Sequence, residues 1–413
     1  KPDGDGGHVP YDSDRERIDR LVPADVGCPR CRSRDDLKID DHIVDVWFES
    51  GVSHSAVLGR DDRLPWPADL YLEGHDQYRG WFHSSLLVAV NDRDTSPYRG
   101  VVTHGFTMDG DGRKMSKSLG NVIAPEDVIK KRGADILRMW VSMVDFLDDM
   151  RLSDEILDRN AEAYRKIRNT FRYLLGNLDG FDPVRDRVAY DDLPEIDRWA
   201  LQRLEQLRAR VVRAYEDHQY HVVYHQLHQF CGSTLSAFYL DILKDRLYTS
   251  PKRAPERLAA QTVLYRLGTD LCRLMAPVLC FTAEEIWQEF EEHAGREKWD
   301  GSTVHAETFP DPLEADHDDA LLERVDRLAG LREEISRALE GARRDKRIGT
   351  PLEARVRIAA ADDDRRVLES FGEQLRFDLI VSAVEFGATG EGAVAAESID
   401  GMSVEVLRAD GTK

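Results

Sequence analysis

The sequence predicts an α/β unit, then an all-α helix bundle, then a small α+β tail. Three observations lead there. Short apolar runs alternate with turn signals over residues 43–108. From about 155 to 345 the periodicity is almost wholly helical. After "GTP" at 349 short alternating runs return. At 413 residues the chain has room for roughly two to four domains with cores of their own.

The elements follow in order. Residues 1–40 read as loop; the opening "KPDGDGGHVPYDSD" is polar and turn-rich, like the interior of a longer protein. They hold the one close cysteine pair, Cys28 and Cys31 in "CPRC". The runs "IVDVWF", "DLYLEG", "SLLVAV" and "GVVTHGFTM" then read as strands and short helices. After a loop at 110–121, "APEDVIKKRGADILRMWVSMV" starts a helix. Pro125 suits its first position, and Glu126 and Asp127 complement the helix dipole. Ile129, Ile136, Trp140 and Met143 recur near helical spacing.

The bundle shows three apolar faces: Ala200 to Tyr215, Leu227 to Ile242 and Leu264 to Val278. "TAEE", with Thr282 and Glu285, reads as a capping box. A last helix, about 318 to 343, ends in Arg343, Arg344 and Lys346. "ARVRIAA" and "DLIVSAVEF" read as strands of the tail.

Composition narrows the class. No run of about 18 apolar residues occurs, so nothing is expected to span a membrane. No secretory segment opens the chain. Five cysteines make no disulfide scaffold, which places the protein in a reducing cytoplasm. The net charge is −21, and only 12 of the 57 basic residues are lysine. Solubility and a salty host cytoplasm both account for that balance. It does not favour a nucleic-acid partner, although local basic patches decide such binding.

The loop "GDGRKMSKSLGN" places Lys114 and Lys117 three apart among glycines and serines. Ammonium groups are compact charges that follow phosphate oxygens, and Gly110, Gly112 and Gly120 permit close backbone approach. No Walker-type loop is present. From physics alone the alternative is a solvated lysine turn.

The string "KMSKS" (114–118) resembles the signature loop of class I aminoacyl-tRNA synthetases. Around it "DVWFESG" (45–51), "SHSAVL" (53–58), "LYLEGHDQYRGWFHSSLL" (70–87), "THGFTMDGDGRKMSKSLGN" (103–121) and "GADILRMW" (133–140) follow the order of isoleucyl-tRNA synthetases. The 70–87 segment separates these from valyl, leucyl and methionyl relatives. Glu49 and His75 depart from the pattern, where aspartate and serine are expected.

The resemblance implies a partial Rossmann-type catalytic domain. It implies activation of isoleucine by ATP with Mg2+, then transfer to tRNA(Ile). Lys117 and Ser116 would contact ATP, and Lys114 would support the loop. Glu73, Gly74, Asp76, Gln77, Trp81 and, less directly, Trp47 would line the adenylate pocket. In-line attack at the α-phosphate leaves catalysis mainly to positioning and electrostatics. The plainer readings are core packing for Trp47 and Trp81 and a strand-end surface carboxylate for Glu73.

The expected domains are a zinc-type insertion remnant (1–42), the second half of the catalytic domain (43–150), an anticodon-binding bundle (151–345) and the tail (346–413). Cys28 and Cys31 are half of a zinc site, since a tetrahedral site takes about four ligands. Cys231, Cys272 and Cys280 lie on apolar stripes and read as core. His218, His221, His225 and His228 are expected on one helix face, for packing and RNA-facing polarity rather than metal.

Arg165, Lys166, Arg168 and Arg172 suit phosphate contact or ordinary helical pairing. Arg203, Arg208 and Arg210 are expected to crowd one exposed stretch and bind tRNA. The family's His-x-Gly-His motif and an editing domain are absent. The expectation is therefore a monomeric fragment cut at both ends, inactive alone. Its rivals are a non-catalytic tRNA-binding protein and a valyl relative.

Overall fold

The structure is a computed structural model that describes residues 13–35, 37–40, 42, 44–299 and 301–409. The described residues fall into two compact units, divided between Gly105 and Phe106.

In the first unit α1 (Asp14–Leu21) starts at Ser13, whose hydroxyl accepts from the Glu16 N–H at 3.2 Å. The "IVDVWF" run turns helical at α2 (Val46–Gly51), because the Asp45 carboxylate accepts from the Trp47 N–H at 2.9 Å and caps it. A short α3 (Ser53–Ala56) follows. Strand β1 (Ala68–Gly74) and strand β2 (Tyr98–His104) pair in parallel, with Leu72 opposite Val102 and Gly74 opposite His104. Parallel strands need a long crossover, and α4 (Trp81–Arg93) supplies it, burying Phe82, Ser85 and Ala89.

The second unit opens with β3 (Thr107–Met108). The single helix expected after the lysine loop is two, α5 (Pro125–Arg132) and α6 (Ala134–Met143). Gly133 separates them at φ 92°, a left-handed conformation that glycine adopts without strain. Pro125 does open α5. Strand β4 (Met150–Arg151) pairs in parallel with β3.

The bundle comprises α7 (Asp154–Gly176), α8 (Glu195–Glu216), α9 (Tyr220–Gln229), α10 (Leu240–Ile242), α11 (Lys244–Thr249), α12 (Pro255–Met275), α13 (Cys280–His293) and α14 (Asp319–Arg344). Between α9 and α10 the chain winds as a π-helix over Phe230–Tyr239. Cys231 and Leu235 on it are fully buried.

The capping box expected at Thr282 and Glu285 is not what starts α13. The helix begins at Cys280, and Asp135 of α6 takes its first amides. The Thr282 N–H donates to that carboxylate at 2.7 Å and its hydroxyl at 2.5 Å. A tertiary carboxylate has replaced the local cap. Helix α12 meets α13 at Gly268, where any Cβ would strike the Phe290 ring.

Helix α14 serves two cores. Leu321, Leu322 and Val325 pack into the bundle, whereas Leu328, Ile335 and Leu339 pack against the tail. The tail holds β5 (Ala354–Ala359), α15 (Asp362–Ser370), α16 (Leu375–Asp378), β6 (Ala383–Phe386), β7 (Val394–Ala395) and β8 (Ser403–Arg408), in sheet order β6-β5-β8-β7. Ala354, Val356 and Ile358 bury one face of β5, as a period-two strand requires.

A buried ionic cluster joins bundle and tail. Arg246 grips Asp197 at 2.7 and 2.9 Å, and the Tyr239 hydroxyl donates to the same carboxylate at 2.7 Å. Arg332 of α14 donates to Asp241 at 2.5 Å and to the Asp378 carbonyl at 2.7 Å. Burial pushes the Asp378 carboxyl up to about 6.

Candidate functional site

Two sets of groups stand out, one in each unit. In the first, the end of β1 and the turn after it gather the expected residues. Glu73 and Gly74 finish the strand, and a Glu73 carboxylate oxygen accepts from the Gly74 N–H at 3.4 Å. Asp76 and Gln77 lie in the 3-10 turn that follows. The Asp76 carboxylate stands within 2.7 Å of where a Cβ on Gly74 would be, so only glycine lets it close in.

Trp81 opens α4 and is fixed from three sides. Its backbone N–H donates to the Gln77 side chain at 2.9 Å. Its indole N–H donates to the Ser50 carbonyl at 3.0 Å. Its ring stacks on Tyr71 at 4.2 Å. Trp47 comes from α2, leans its ring on Gly80, and stays 41% exposed. Neither indole is simply core. Trp47 is open to solvent, and Trp81 is only half-buried. Glu73 is exposed at the strand end.

The lysine loop belongs to the second unit, and its shape comes from residues that spacing alone does not reveal. Asp109 is the hub. Its carboxylate accepts from the Asp111 and Arg113 amides at 3.0 and 2.9 Å and from the Asn121 side chain at 2.9 Å. The Asn121 amide, then the Arg113 N–H, hold its carboxyl down at about 2. Its folded value is depressed, so the brace is present above the ordinary carboxylate range and is lost only as pH falls through about 2.

Asn121 also accepts from the Ser116 N–H at 2.9 Å. Ser116 turns its hydroxyl toward Ser118 at 3.1 Å and accepts from the Leu119 N–H at 3.3 Å. Lys114 rests its ammonium over the Phe106 ring at 3.5 Å. Lys117 is exposed and makes no ion pair among the described residues. One lysine therefore lies against an aromatic ring, and its neighbour has no ion-pair partner among the described residues.

Cys28 and Cys31 sit at a tight turn, where the Arg32 N–H donates to the Cys28 carbonyl at 2.8 Å. The Cys31 N–H, then the Arg30 N–H, hold the Cys28 thiol below its usual value, which favours the metal-binding thiolate. Among the described residues no group of three or more His, Cys, Asp or Glu could hold a metal. The pair fits zinc chemistry but supplies two ligands of the roughly four required.

The four histidines do not share one helix face. His218 lies before α9 with φ 56°, so it leaves the helix face expected to carry all four. His228 stacks on Tyr224 at 5.8 Å, a packing role.

The basic clusters are largely spent on local pairs. Arg165 reaches Glu162 at 3.9 Å and Arg168 reaches Glu285 at 3.5 Å, both exposed pairs of small energetic weight. Arg203, Arg208 and Arg210 do not crowd one face. Arg208 turns to Glu205 at 2.6 and 2.8 Å, whereas Arg203 pairs with Asp326 and lines a cavity with Arg210. Positions 203 and 210 are two helical turns apart, and 208 falls on another face. Of the three only Arg210 is exposed; Arg203 and Arg208 are half-buried.

Among the described residues no helix is long and apolar enough to cross a membrane. Residues 11–153 match the family described as tRNA synthetases class I (I, L, M and V). Residues 197–358 match the anticodon-binding domain of tRNA ligase. The isoleucine--tRNA ligase of Syntrophotalea carbinolica is 51% identical over 394 residues, which are 95% of this chain and 42% of that protein. That of Geobacter sulfurreducens is 50% identical over 395 residues, with the same two shares, 95% and 42%. The chain thus spans 42% of the length of these curated relatives.

Among solved structures, the Agrobacterium radiobacter K84 LeuRS in complex with tRNA and LeuAMS aligns with a TM-score of 0.52 at 20% identity, over 72% of this chain and 35% of that one. Mycobacterium tuberculosis methionyl-tRNA synthetase with methionyl-adenylate aligns with a TM-score of 0.51 at 21% identity, over 63% and 55%. These two likenesses concern the fold.

Proposed function

The chain belongs to the class I tRNA synthetases, among their isoleucine--tRNA ligases, and on that premise we propose that it carries half of an isoleucine-activating centre and the tRNA-binding bundle that serves it. The observation that carries this reading is the braced loop that leaves Lys117 unpaired beside a parked Lys114.

In the reaction the isoleucine carboxylate attacks the α-phosphorus of ATP. The bond to the bridging oxygen breaks, and pyrophosphate leaves with the electron pair. A terminal ribose hydroxyl of tRNA(Ile) then attacks the activated carbonyl, loses its proton, and AMP departs. Lys117 follows the charge that grows on the leaving pyrophosphate, while Ser116 and its backbone shape the loop around the nucleotide. Mg2+ bound with ATP would neutralise part of that charge.

Glu73 and Gly74 offer a carboxylate and close backbone to the adenylate. Asp76 and Gln77 fix the turn beneath them. Trp81, locked by its stack and two hydrogen bonds, and Trp47 offer flat apolar walls for a branched aliphatic side chain.

Residues 43–150 are assigned to the catalytic half, 151–345 to anticodon binding, 346–413 to the tail and 1–42 to a zinc-type insertion. Cys28 and Cys31 supply half of its ligands. The working form is a cytoplasmic monomer. The test is ATP–pyrophosphate exchange by the full-length enzyme containing this chain, with isoleucine or valine as the amino acid. Exchange that depends on isoleucine supports the reading. Exchange with valine alone, or none, overturns it.

A further inference from the structure

Strand β1 does more than end in Glu73. Side chains two apart on a strand share a face, so Tyr71 stands on the same side of β1 as Glu73, one pleat deeper. Tyr71 is 4% exposed, whereas its neighbours Leu70 and Leu72 are open to solvent at 41% and 56%. The strand commits this one ring to the interior, and the ring lies flat on Trp81, with centres 4.2 Å apart and planes parallel.

Tyr71 is itself held. Tyr98 of β2 closes on it at 4.7 Å with a 50° tilt, and Phe82 of α4 stands at 6.4 Å. Its hydroxyl is enclosed beside those of Ser85 and Ser53. The nitrogen edge of Trp81 is fixed separately, by the Ser50 carbonyl at 3.0 Å and the Ser53 hydroxyl at 3.3 Å. Four elements thus meet on one residue: α2 through Ser50, α3 through Ser53, the turn after β1 through Gln77, and β1 through Tyr71. Tyr71 is the group stacked on the flat face of the indole, which still stays half-exposed.

Such a seat exceeds what binding alone requires. A loose indole would still offer apolar area to a branched side chain. What a loose wall cannot do is refuse a smaller one. Valine lacks one methylene of isoleucine and leaves a gap, and the gap costs affinity only where the wall does not follow it inward. One methylene in an apolar pocket is worth roughly tenfold or more in selection, isoleucine against valine being the standard instance of the rule. A stack that fixes the face and two acceptors that fix the edge keep the indole from tilting.

We propose that Tyr71 and Ser53 are positioning residues for the choice of isoleucine over valine. They do not meet the amino acid; they act by holding the Trp81 wall still. This deepens, and rests on, the reading of Trp81 as a wall of the isoleucine pocket.

The experiment is ATP–pyrophosphate exchange by the full-length enzyme without tRNA, at varied isoleucine or valine. Tyr71→Leu keeps apolar bulk and loses the flat face. It should lower the ratio of kcat/KM for isoleucine over valine about fivefold or more, chiefly through a higher KM for isoleucine, with the KM for ATP unchanged. Tyr71→Phe keeps the face and should hold the wild-type ratio. Ser53→Ala leaves the aromatic packing intact and should lower the ratio about twofold, the worth of one weak hydrogen bond.

A merely structural role would cost both amino acids alike and leave the ratio where it was. An unchanged ratio in Tyr71→Leu therefore overturns the proposal. If thermal unfolding shows that Tyr71→Leu does not fold, an unchanged ratio in Ser53→Ala overturns it instead. A fall in Tyr71→Phe as large as that in Tyr71→Leu also overturns it, because the effect would then lie in the hydroxyl. Wild type separates the two readings. If it prefers isoleucine while the variants keep its ratio, only the seat falls. If wild-type exchange does not depend on isoleucine, the ligase reading falls, and the seat with it.

Discussion

Two lysines three residues apart sit in different surroundings. The Lys114 ammonium lies over the Phe106 ring, whereas Lys117 has no partner among the described residues. In the full-length enzyme Lys117→Ala should lower isoleucine-dependent exchange by about 100-fold or more, as loss of a charge partner in the transition state does. An unchanged rate would remove it from the chemistry. Glu73→Ala should weaken binding of a non-hydrolysable isoleucyl-adenylate analogue more than binding of ATP; calorimetric titration of both decides it, and equal losses would sink the assignment. The sequence made these residues legible because each lies inside a short contiguous string. It did not reveal Asp109 and Asn121. They meet across the loop, and nothing in their spacing says that one side chain will brace the other. Phe106 escaped for the same reason, since a ring beneath an ammonium leaves no periodic mark.

At the scale of elements, the helices were legible wherever an apolar stripe repeats, and their ends were not. The stripe through Ile129, Ile136 and Trp140 concealed the break at Gly133, because periodicity reports side chains and the break is a matter of backbone. "TAEE" has the letters of a capping box, yet a carboxylate from α6 does the capping, a partner that local sequence cannot announce. The contact of α12 with α13 turns on Gly268, which lets the Phe290 ring approach the helix backbone. Gly268→Ala should destabilise the bundle by about 1–3 kcal/mol, the usual cost of overpacking, although alanine is the better helix former. Thermal unfolding checks the sign. A raised melting temperature would mean that the ring moves aside freely.

Across the whole second unit the bundle and the tail share α14 and a set of polar groups, Asp197, Arg332 and Asp378 buried and Arg246 and Asp241 half-buried. None of this was legible, since each member looks like a surface residue until the fold encloses it. The Asp378 carboxyl, raised to about 6 from 3.8 by burial against the pull of Gln374, Arg246 and Arg332, keeps its proton longer in the folded state. The associated stability is full below about pH 4 and drains as pH rises through about 6, on the order of 3 kcal/mol in all. Asp378→Asn should flatten that dependence and unfold at higher urea than wild type at pH 8. Parallel urea midpoints for the two proteins between pH 4 and pH 8 would refute it. The π-helix bears on the same cluster through chain length. Every residue in a helix sets the rotational phase of all that follow, by about 100° each. Phe230–Tyr239 is wound with surplus chain, so Tyr239, Asp241 and Arg246 arrive in phase with Asp197 and Arg332 only at the present residue count. Side chains there can be exchanged, but a deletion of Gly232 would tighten the turn, swing those partners apart and free the tail while leaving the helix content almost unchanged.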